Sequence, residues 1–175
     1  MSEKYRFYEG GLFFVTMTVV GWIDVFTRHA YADDIIKNLN YCIDHKGLEV
    51  YEFCIMSNHI HLICAAKEGY VGKIIRDFKS FTAKEIIRLI QENPRESRKE
   101  WLLYMFRYFA KGSSPKCEFQ FWQHKNHPIW LESNKFINQK TAYIWNNPVK
   151  AGIVREPQHY IYSSANPDTK LKIIC

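Results

Sequence analysis

Two histidines inside a short strand-like run are the residues best suited to chemistry in this sequence. The run is HIHLIC, in which His59 and His61 stand two positions apart. Side chains alternate across a strand, so both imidazoles point to one face while Ile60 points to the other. Two imidazoles on one face can share a divalent metal ion, and imidazole also accepts Mg²⁺ when oxygen ligands complete the shell. The alternative is a solvent-facing polar pair on a half-buried strand.

A tyrosine and an asparagine near the end of a helix-like segment form a second candidate. Tyr143 and Asn147 lie four positions apart in TAYIWNNPVKAG, so both side chains occupy one face of a helix. A tyrosine hydroxyl is a competent nucleophile toward phosphorus when a metal ion polarises the phosphate. The alternative is structural: Tyr143 packs with its hydroxyl satisfied, and Asn147 before Pro148 ends the helix.

The first half of the chain contains the elements that must position the histidines. Residues 12–25 are rich in β-branched and aromatic side chains and predict a strand with a break near Gly21. A helix is predicted after the Asp33-Asp34 pair, which suits a helix N-terminus, and it stops at Gly47. Two strands over 49–56 and 59–66 follow, joined by Ser57-Asn58 as an antiparallel hairpin.

The second half predicts helices that alternate with one more strand. An amphipathic helix begins near Val71 and ends at Asn93-Pro94, and a strand is predicted over 117–122. After Ser133, a plausible N-cap, a helix runs toward Asn147. This order predicts an α+β fold, a two-layer sandwich with a mainly antiparallel sheet of the ferredoxin or RRM kind and the helices on one face.

Composition limits the possible functions. The chain has 175 residues, a net charge of +6 and 16% aromatic residues. This combination suits single-stranded nucleic acid, but composition alone favours the alternative, an ordinary aromatic core under a mildly basic surface. Five cysteines without C-x-x-C spacing argue against a disulfide framework and a cysteine zinc site. The charged N-terminus and the absence of a long apolar run predict a cytoplasmic protein with no membrane segment. We expect one domain over 1–175, with 95–116 as a possible insertion.

Several motifs together resemble one known family. They are MSNHIHL at 56–62, FKSFTA at 78–83, FWQ at 121–123, YIWNNPVKAG at 143–152 and YSSA at 162–165. In this order they resemble the single-tyrosine HUH transposases, in particular the REP-associated tyrosine transposases and the small IS200-like insertion-sequence transposases. The resemblance extends from about residue 12 to 165.

This resemblance implies a specific activity. His59, His61 and Asn147 would bind a divalent metal, Mg²⁺ or Mn²⁺, although some members have Gln where this chain has the shorter Asn147. Tyr143 would be the catalytic nucleophile that cleaves and rejoins single-stranded DNA with hairpin or repeat ends through a 5′-phosphotyrosine. The family includes homodimers and monomers. The alternative is a domesticated module of the same fold that binds single-stranded nucleic acid without strand transfer.

Basic residues on the second predicted helix are the candidate DNA contacts. Part of this helix, FKSFTA, also resembles a family segment. Positive side chains on one element can contact phosphates, whereas a solvated face with interspersed acidic residues is the alternative. The candidates are Lys73, Arg76, Lys79, Lys84 and Arg88.

Overall fold

The computed structural model describes residues 6–112 and 117–174 and contains one four-stranded sheet with helices on both sides. The elements in chain order are β1 (Phe13–Thr18), α1 (His29–Lys46), β2 (Leu48–Ile55), β3 (His59–Ala66), α2 (Val71–Glu92), α3 (Lys99–Ala110), β4 (Ile129–Trp130) and α4 (Asn134–Lys150). Two short 3-10 turns occupy Val20–Trp22 and Pro157–His159. In the described part of the chain, no helix has the length and apolar character needed to cross a membrane.

The sheet is antiparallel throughout, with strand order β2-β3-β1-β4. The predicted α+β fold and the β2–β3 hairpin are therefore confirmed. In β2 the register shifts between Val50 and Glu52. Such a bulge changes the side-chain alternation by one residue, so Val50 and Phe53 both point into the larger core.

The two faces of the sheet carry separate cores. The larger core joins odd-numbered residues of β1 with Ile60 and Leu62 of β3 and with the buried faces of α1, α2 and α3. The smaller cluster lies on the other face, where Phe14 and Ile63 pack against Ile144 of α4. The prediction that the helices lie on one face is therefore correct for α1 and α2. It is wrong for α4, whose apolar Ile144 packs against the opposite face of the sheet.

Two helix ends follow the local signals of the sequence, whereas the start of α1 does not. Gly47 ends α1 in the left-handed region at φ 70°, and its N–H donates to the carbonyl of Cys42. Ser133 caps α4 by accepting a hydrogen bond from the N–H of Phe136. The predicted start of α1 after Asp33-Asp34 is wrong, since the helix begins at His29 and Asp33 instead accepts from the hydroxyl of Tyr162 at 3.1 Å.

Two predicted strands differ from the structure. The strand over 12–25 ends at Thr18, because the chain then enters the turn over 20–22. Residues 117–122 do not form a strand, and only Trp122 makes an isolated bridge, to Val19. The fourth strand is the short β4, which pairs with Phe13 and Phe14.

The connection between α2 and α3 is held by a buried carboxylate. Glu96 accepts hydrogen bonds from Arg28 at 2.6 Å, from Arg98 at 3.1 Å and from the hydroxyl of Tyr31 at 3.2 Å. Burial alone would raise the pKa of Glu96, but the hydrogen bonds from Arg98 and Arg28 outweigh it and lower the pKa to about 2. The segment 95–112 is thereby tied to the chain before α1. Residues 113–116, the end of the possible insertion, lie outside the described residues.

Candidate metal and tyrosine site

His59 and His61 project from β3 toward the face of the sheet that α4 covers. Their ring centroids are 4.7 Å apart, and Ile60 between them is fully buried in the opposite core. The predicted common face of the two imidazoles is therefore what the strand geometry produces. His61 is buried, with 4% of its surface exposed, whereas His59 is half-buried.

Contacts from β1 fix the ring of His61. Thr16 is its cross-strand partner, and the Thr16 hydroxyl lies 2.9 Å from Nδ1 of His61. Phe14, two residues earlier on the same face, stacks on the imidazole at a centroid distance of 5.3 Å. The other ring nitrogen, Nε2, is buried and has no hydrogen-bond partner in the described structure. A buried nitrogen of this kind is costly unless a ligand binds to it.

The tautomer of His59 follows from the hydrogen bonds of Asn58. The Asn58 amide nitrogen donates to the carbonyl of Trp22 at 3.2 Å and to Asp24 at 2.9 Å. Its oxygen is therefore the atom that faces Nδ1 of His59, at 2.7 Å. Because that oxygen can only accept, Nδ1 must carry the proton and Nε2 keeps a lone pair.

Electrostatics keeps both imidazoles neutral. Burial, followed by the neighbouring His59 and Lys140, lowers the pKa of His61 to about 3. Burial also lowers the pKa of His59, against the attraction of Asp24. A metal ligand must be the neutral imidazole. At neutral pH both rings are in that form without losing a proton.

Tyr143 lies on α4 beside the histidine pair. Its ring centroid is 5.2 Å from that of His61 and 5.9 Å from that of Phe14, both in edge-on geometry. The next residue, Ile144, is fully buried and fixes this turn of the helix, while 40% of the Tyr143 surface remains exposed. The tyrosine is therefore held against the buried imidazole and open to solvent on its other side.

Two lysines bring positive charge to the tyrosine ring. The Nζ atom of Lys140 is 4.5 Å from the ring centroid of Phe14 and 5.5 Å from that of Tyr143. The Nζ atom of Lys150 is 6.0 Å from the ring centroid of Tyr143. Positive charge at this distance favours binding of a phosphate group beside the tyrosine.

Asn147 lies one helical turn after Tyr143 and is half-buried. The helix continues through Pro148 to Lys150, so Asn147 does not end it. Within residues 6–112 and 117–174, no cluster of three His, Cys, Asp or Glu side chains is arranged to hold a metal ion. A metal bound to the two histidines would therefore take its further ligands from other donors, such as an amide oxygen or water.

The basic candidates on α2 differ in their exposure and in their partners. Lys73 and Lys84 are exposed, as is Arg76, which pairs with Asp77 at 3.2 Å. Arg88 is engaged by Glu85 at 2.6 Å and by Glu92. Arg76, Lys79 and Lys84 line a groove of about 370 Å³ between α2 and residues 117–126.

Lys79 differs from the other basic candidates because its ammonium is already used inside the protein. It is half-buried, and Nζ donates to the carbonyl of Gln123 at 2.6 Å and to the side chain of Asn126. Burial lowers the pKa of Lys79 to about 8. The carbonyl of Asn126 accepts from the N–H of Thr16. Lys79 therefore supports β1, the strand whose Thr16 hydroxyl contacts His61.

The YSSA segment fastens the edge of β2. Ser164 bonds to the backbone of Phe53, with its hydroxyl 3.1 Å from the Phe53 N–H, and it also contacts Glu52. Trp145 of α4 donates to the same Glu52 carboxylate at 2.7 Å. This motif therefore links the tyrosine helix to the sheet rather than facing the histidines.

Three residues at the site were not identified from the sequence. Thr16 and Asn58 orient the two histidines, and Lys140 lies between Phe14 and Tyr143. Two of these residues had a local signal, the first being Asn58, which directly precedes His59. Lys140 is three residues before Tyr143 and so shares its helix face.

Comparison with known proteins gives consistent results. The curated protein "Putative REP-associated tyrosine transposase" of Haemophilus influenzae is 26% identical over 174 residues, which cover 99% of this chain and 90% of that protein. A solved structure of a REP-associated tyrosine transposase bound to a REP hairpin superposes with a TM-score of 0.61 at 20% identity, covering 94% of this chain and 82% of the other. This similarity supports the fold.

The family of the chain is shown by a sequence match that is much longer than any single motif. Residues 23–124 match the family described as "Transposase IS200 like". The matched range contains both histidines of β3 and ends before α4, so the tyrosine lies outside it. More than half of the chain is nevertheless covered, and the resemblance recognised in the motifs is confirmed: the chain belongs to the IS200-like transposase family.

Proposed function

We propose that this protein cleaves and rejoins single-stranded DNA through a covalent 5′-phosphotyrosine at Tyr143, with His59 and His61 as metal ligands. The observation that carries the proposal is the buried, unpartnered Nε2 of His61 next to the ring of Tyr143. In a member of a transposase family, this arrangement supports a tyrosine nucleophile at a metal site.

The histidine pair fits a divalent metal. Thr16 and Asn58 occupy the Nδ1 side of each ring, which leaves both Nε2 atoms for a metal ion, and both rings are neutral. Asn147 would supply a third ligand from α4. When bound, Mg²⁺ or Mn²⁺ polarises the scissile phosphate and stabilises the charge on the departing oxygen.

Tyr143 performs the covalent step. Its hydroxyl oxygen attacks the phosphorus, the bond from phosphorus to the 3′ oxygen breaks, and the phenolic proton passes to solvent on the exposed side of the ring. The departing strand takes up a proton and ends in a 3′-hydroxyl. In the reverse reaction another 3′-hydroxyl attacks the phosphotyrosine, so the phosphodiester is reformed without an external energy source.

Lys140 and Lys150 stabilise the phosphate next to Tyr143. Both ammonium groups lie within about 6 Å of the tyrosine ring. Negative charge on the phosphate oxygens increases during the attack, and fixed positive charges in a partly water-excluded site favour that state. The two lysines therefore orient the scissile group toward the tyrosine.

The paired part of a DNA hairpin would contact α2. Lys73, Arg76 and Lys84 are exposed there, and the adjoining groove has room for a backbone phosphate. A structure of a relative is described as bound to a REP hairpin. One copy of this chain, acting as a single domain over 1–175, supplies both histidines and the tyrosine, so a homodimer is not required for the proposed chemistry.

The test is covalent capture of DNA. The purified protein is mixed with a REP-type hairpin oligonucleotide that has linear flanks, in Mg²⁺ or Mn²⁺, and is analysed on a denaturing gel. We expect a protein–DNA adduct whose linked peptide contains Tyr143. Tyr143→Phe removes only the nucleophilic oxygen and should abolish the adduct.

Tyr104→Phe is the matched control, because this tyrosine is also exposed but lies on α3. It should form the adduct as the unmodified protein does. Cleavage that persists in Tyr143→Phe would indicate that water is the nucleophile. Tight binding without any adduct in the unmodified protein would favour the alternative, a nucleic-acid-binding module without strand transfer.

A further inference from the structure

A tryptophan with an unusual backbone lies at the edge of the proposed site. In the turn over 20–22, Gly21 has φ 61° and Trp22 has φ 55°. The left-handed region is unfavourable for a bulky side chain, and such residues persist where the surrounding structure holds them. The Trp22 ring does not gain burial in return, since 59% of its surface is exposed.

Several contacts hold this turn in place. The Phe109 ring of α3 lies so close to Gly21 that an added Cβ would meet it at 2.6 Å. Arg98 donates to the carbonyl of Asp24 at 2.7 Å. The N–H of Val20 donates to the carbonyl of Phe121 at 2.9 Å. Contacts from Phe109 of α3, from Arg98 at its start and from Phe121 therefore hold the conformation that exposes Trp22.

The turn is coupled directly to a proposed metal ligand. The indole ring lies edge-on to His59, with 5.8 Å between the ring centroids. The carbonyl of Trp22 accepts from the amide of Asn58, whose oxygen holds Nδ1 of His59. The exposed indole ring of Trp22 is therefore adjacent to the proposed metal site.

We propose that the indole of Trp22 is a stacking platform for a base of single-stranded DNA adjacent to the scissile phosphate. The inference rests on the proposed function and extends it to the positioning of the substrate strand. Aromatic side chains bind unpaired bases by stacking, which any base can provide. A rigid, exposed ring beside His59 would fix the path of the strand as it reaches Tyr143.

The test measures binding separately from chemistry. All variants are made in the Tyr143→Phe background, and binding of the hairpin oligonucleotide is followed by fluorescence anisotropy. An abasic nucleotide is placed at each position of the linear flanks in turn. We expect Trp22→Ala to weaken binding about tenfold, and to cause no further loss when one particular flank position is abasic.

Substitutions at the same position separate stacking from folding. Trp22→Phe should bind within about threefold of the parent, because a ring remains for stacking. Trp22→Gly relieves the left-handed backbone, so its melting temperature should not fall although its binding weakens like that of Trp22→Ala. Trp101→Ala removes a comparably exposed indole from α3 and should bind like the parent.

Two results would overturn the inference. One is parental affinity in Trp22→Ala, and the other is an equal loss at every abasic position, which would show no coupling between the ring and one base. The covalent assay on the unmodified protein is scored independently. An adduct without Trp22 coupling contradicts only the stacking platform, whereas coupling without an adduct contradicts only the proposed strand cleavage.

Discussion

On one face of β3, Ile60 and Leu62 are fully buried in the core shared with α1 and α2, whereas the opposite face buries His61 with an unpartnered ring nitrogen. The same strand therefore supports two different surfaces. The first minimises contact with water, and the second holds polar groups in fixed orientations at a cost in stability. This difference indicates that stability and the proposed chemistry depend on opposite faces, so that each can be perturbed separately.

The sharpest test of this separation uses two adjacent residues. His61→Ala should reduce adduct formation by about a thousandfold or more, since a metal contributes several kcal/mol to the transition state. Its melting temperature should change little. Ile60→Ala should instead lower the free energy of unfolding by about 2–5 kcal/mol, while the folded fraction still forms the adduct. Loss of chemistry in folded Ile60→Ala would break the comparison.

Glu96 is buried beside the larger core, where it bonds to Tyr31. It should give the next largest effect, a dependence of the free energy of unfolding on pH. Its folded pKa of about 2 is below its value in an unfolded chain. The stabilisation, about 3 kcal/mol, is therefore present above pH ~4.5 and is lost as the pH falls toward ~2. Acid unfolding monitored by circular dichroism should show this dependence, and Glu96→Gln should weaken it.

The exposed Glu92, which pairs with Arg88 on the surface of α2, is the control for Glu96. Glu92→Gln should change the free energy of unfolding by less than about 1 kcal/mol. Equal effects of the two substitutions would contradict the assignment of Glu96 as the anchor of the α2–α3 connection.

Thr16→Val tests whether the Thr16 hydroxyl orients His61 for the proposed metal binding. The substitution keeps the shape of the side chain and removes the hydroxyl that faces Nδ1 of His61. Loss of such an orienting group costs about 10–100-fold in metal affinity or activity. Isothermal titration with Mn²⁺ measures this loss. Thr18→Val, on the same face of β1, is the control and should have the smaller effect.

The smallest expected effect distinguishes an exposed lysine that contacts DNA, Lys84, from a lysine that bonds within the protein, Lys79. Lys84→Ala should weaken DNA binding and make the slope of log affinity against log salt concentration smaller by about 1, which corresponds to the loss of one phosphate contact. Lys79→Met should lower thermal stability and leave that slope unchanged, since its ammonium bonds within the protein. A changed slope in Lys79→Met would place this lysine on DNA.

The sequence was sufficient where a pattern depended on neighbours in the chain. The shared face of His59 and His61, the cap at Ser133 and the stop at Gly47 all follow from local geometry. The spacing of Tyr143 and Asn147 likewise placed both on one helical face. These predictions required no knowledge of distant contacts.

The parts that failed depended on distant contacts. Residues 117–122 have strand-like composition, but Phe121 and Trp122 fill the core rather than extend a ladder. Asp33 is used by Tyr162, more than a hundred residues later, so it does not mark the helix start. Thr16 gains its significance only when β1 pairs with β3 and places its hydroxyl beside His61.

The turn between β2 and β3 has a consequence for how the protein folds. Trp22 and His127 are the only described residues other than glycine with positive φ, so Ser57-Asn58 does not form the primed turn that best closes a hairpin. Its carbonyls instead accept from the N–H groups of Phe26 and Val19. A slip of one residue would move His61 into the other core. Residues 19–26 therefore add support from outside the hairpin to the bond from the Met56 N–H to the His59 carbonyl at 2.8 Å, and we expect the isolated hairpin to hold this register less firmly than the whole chain.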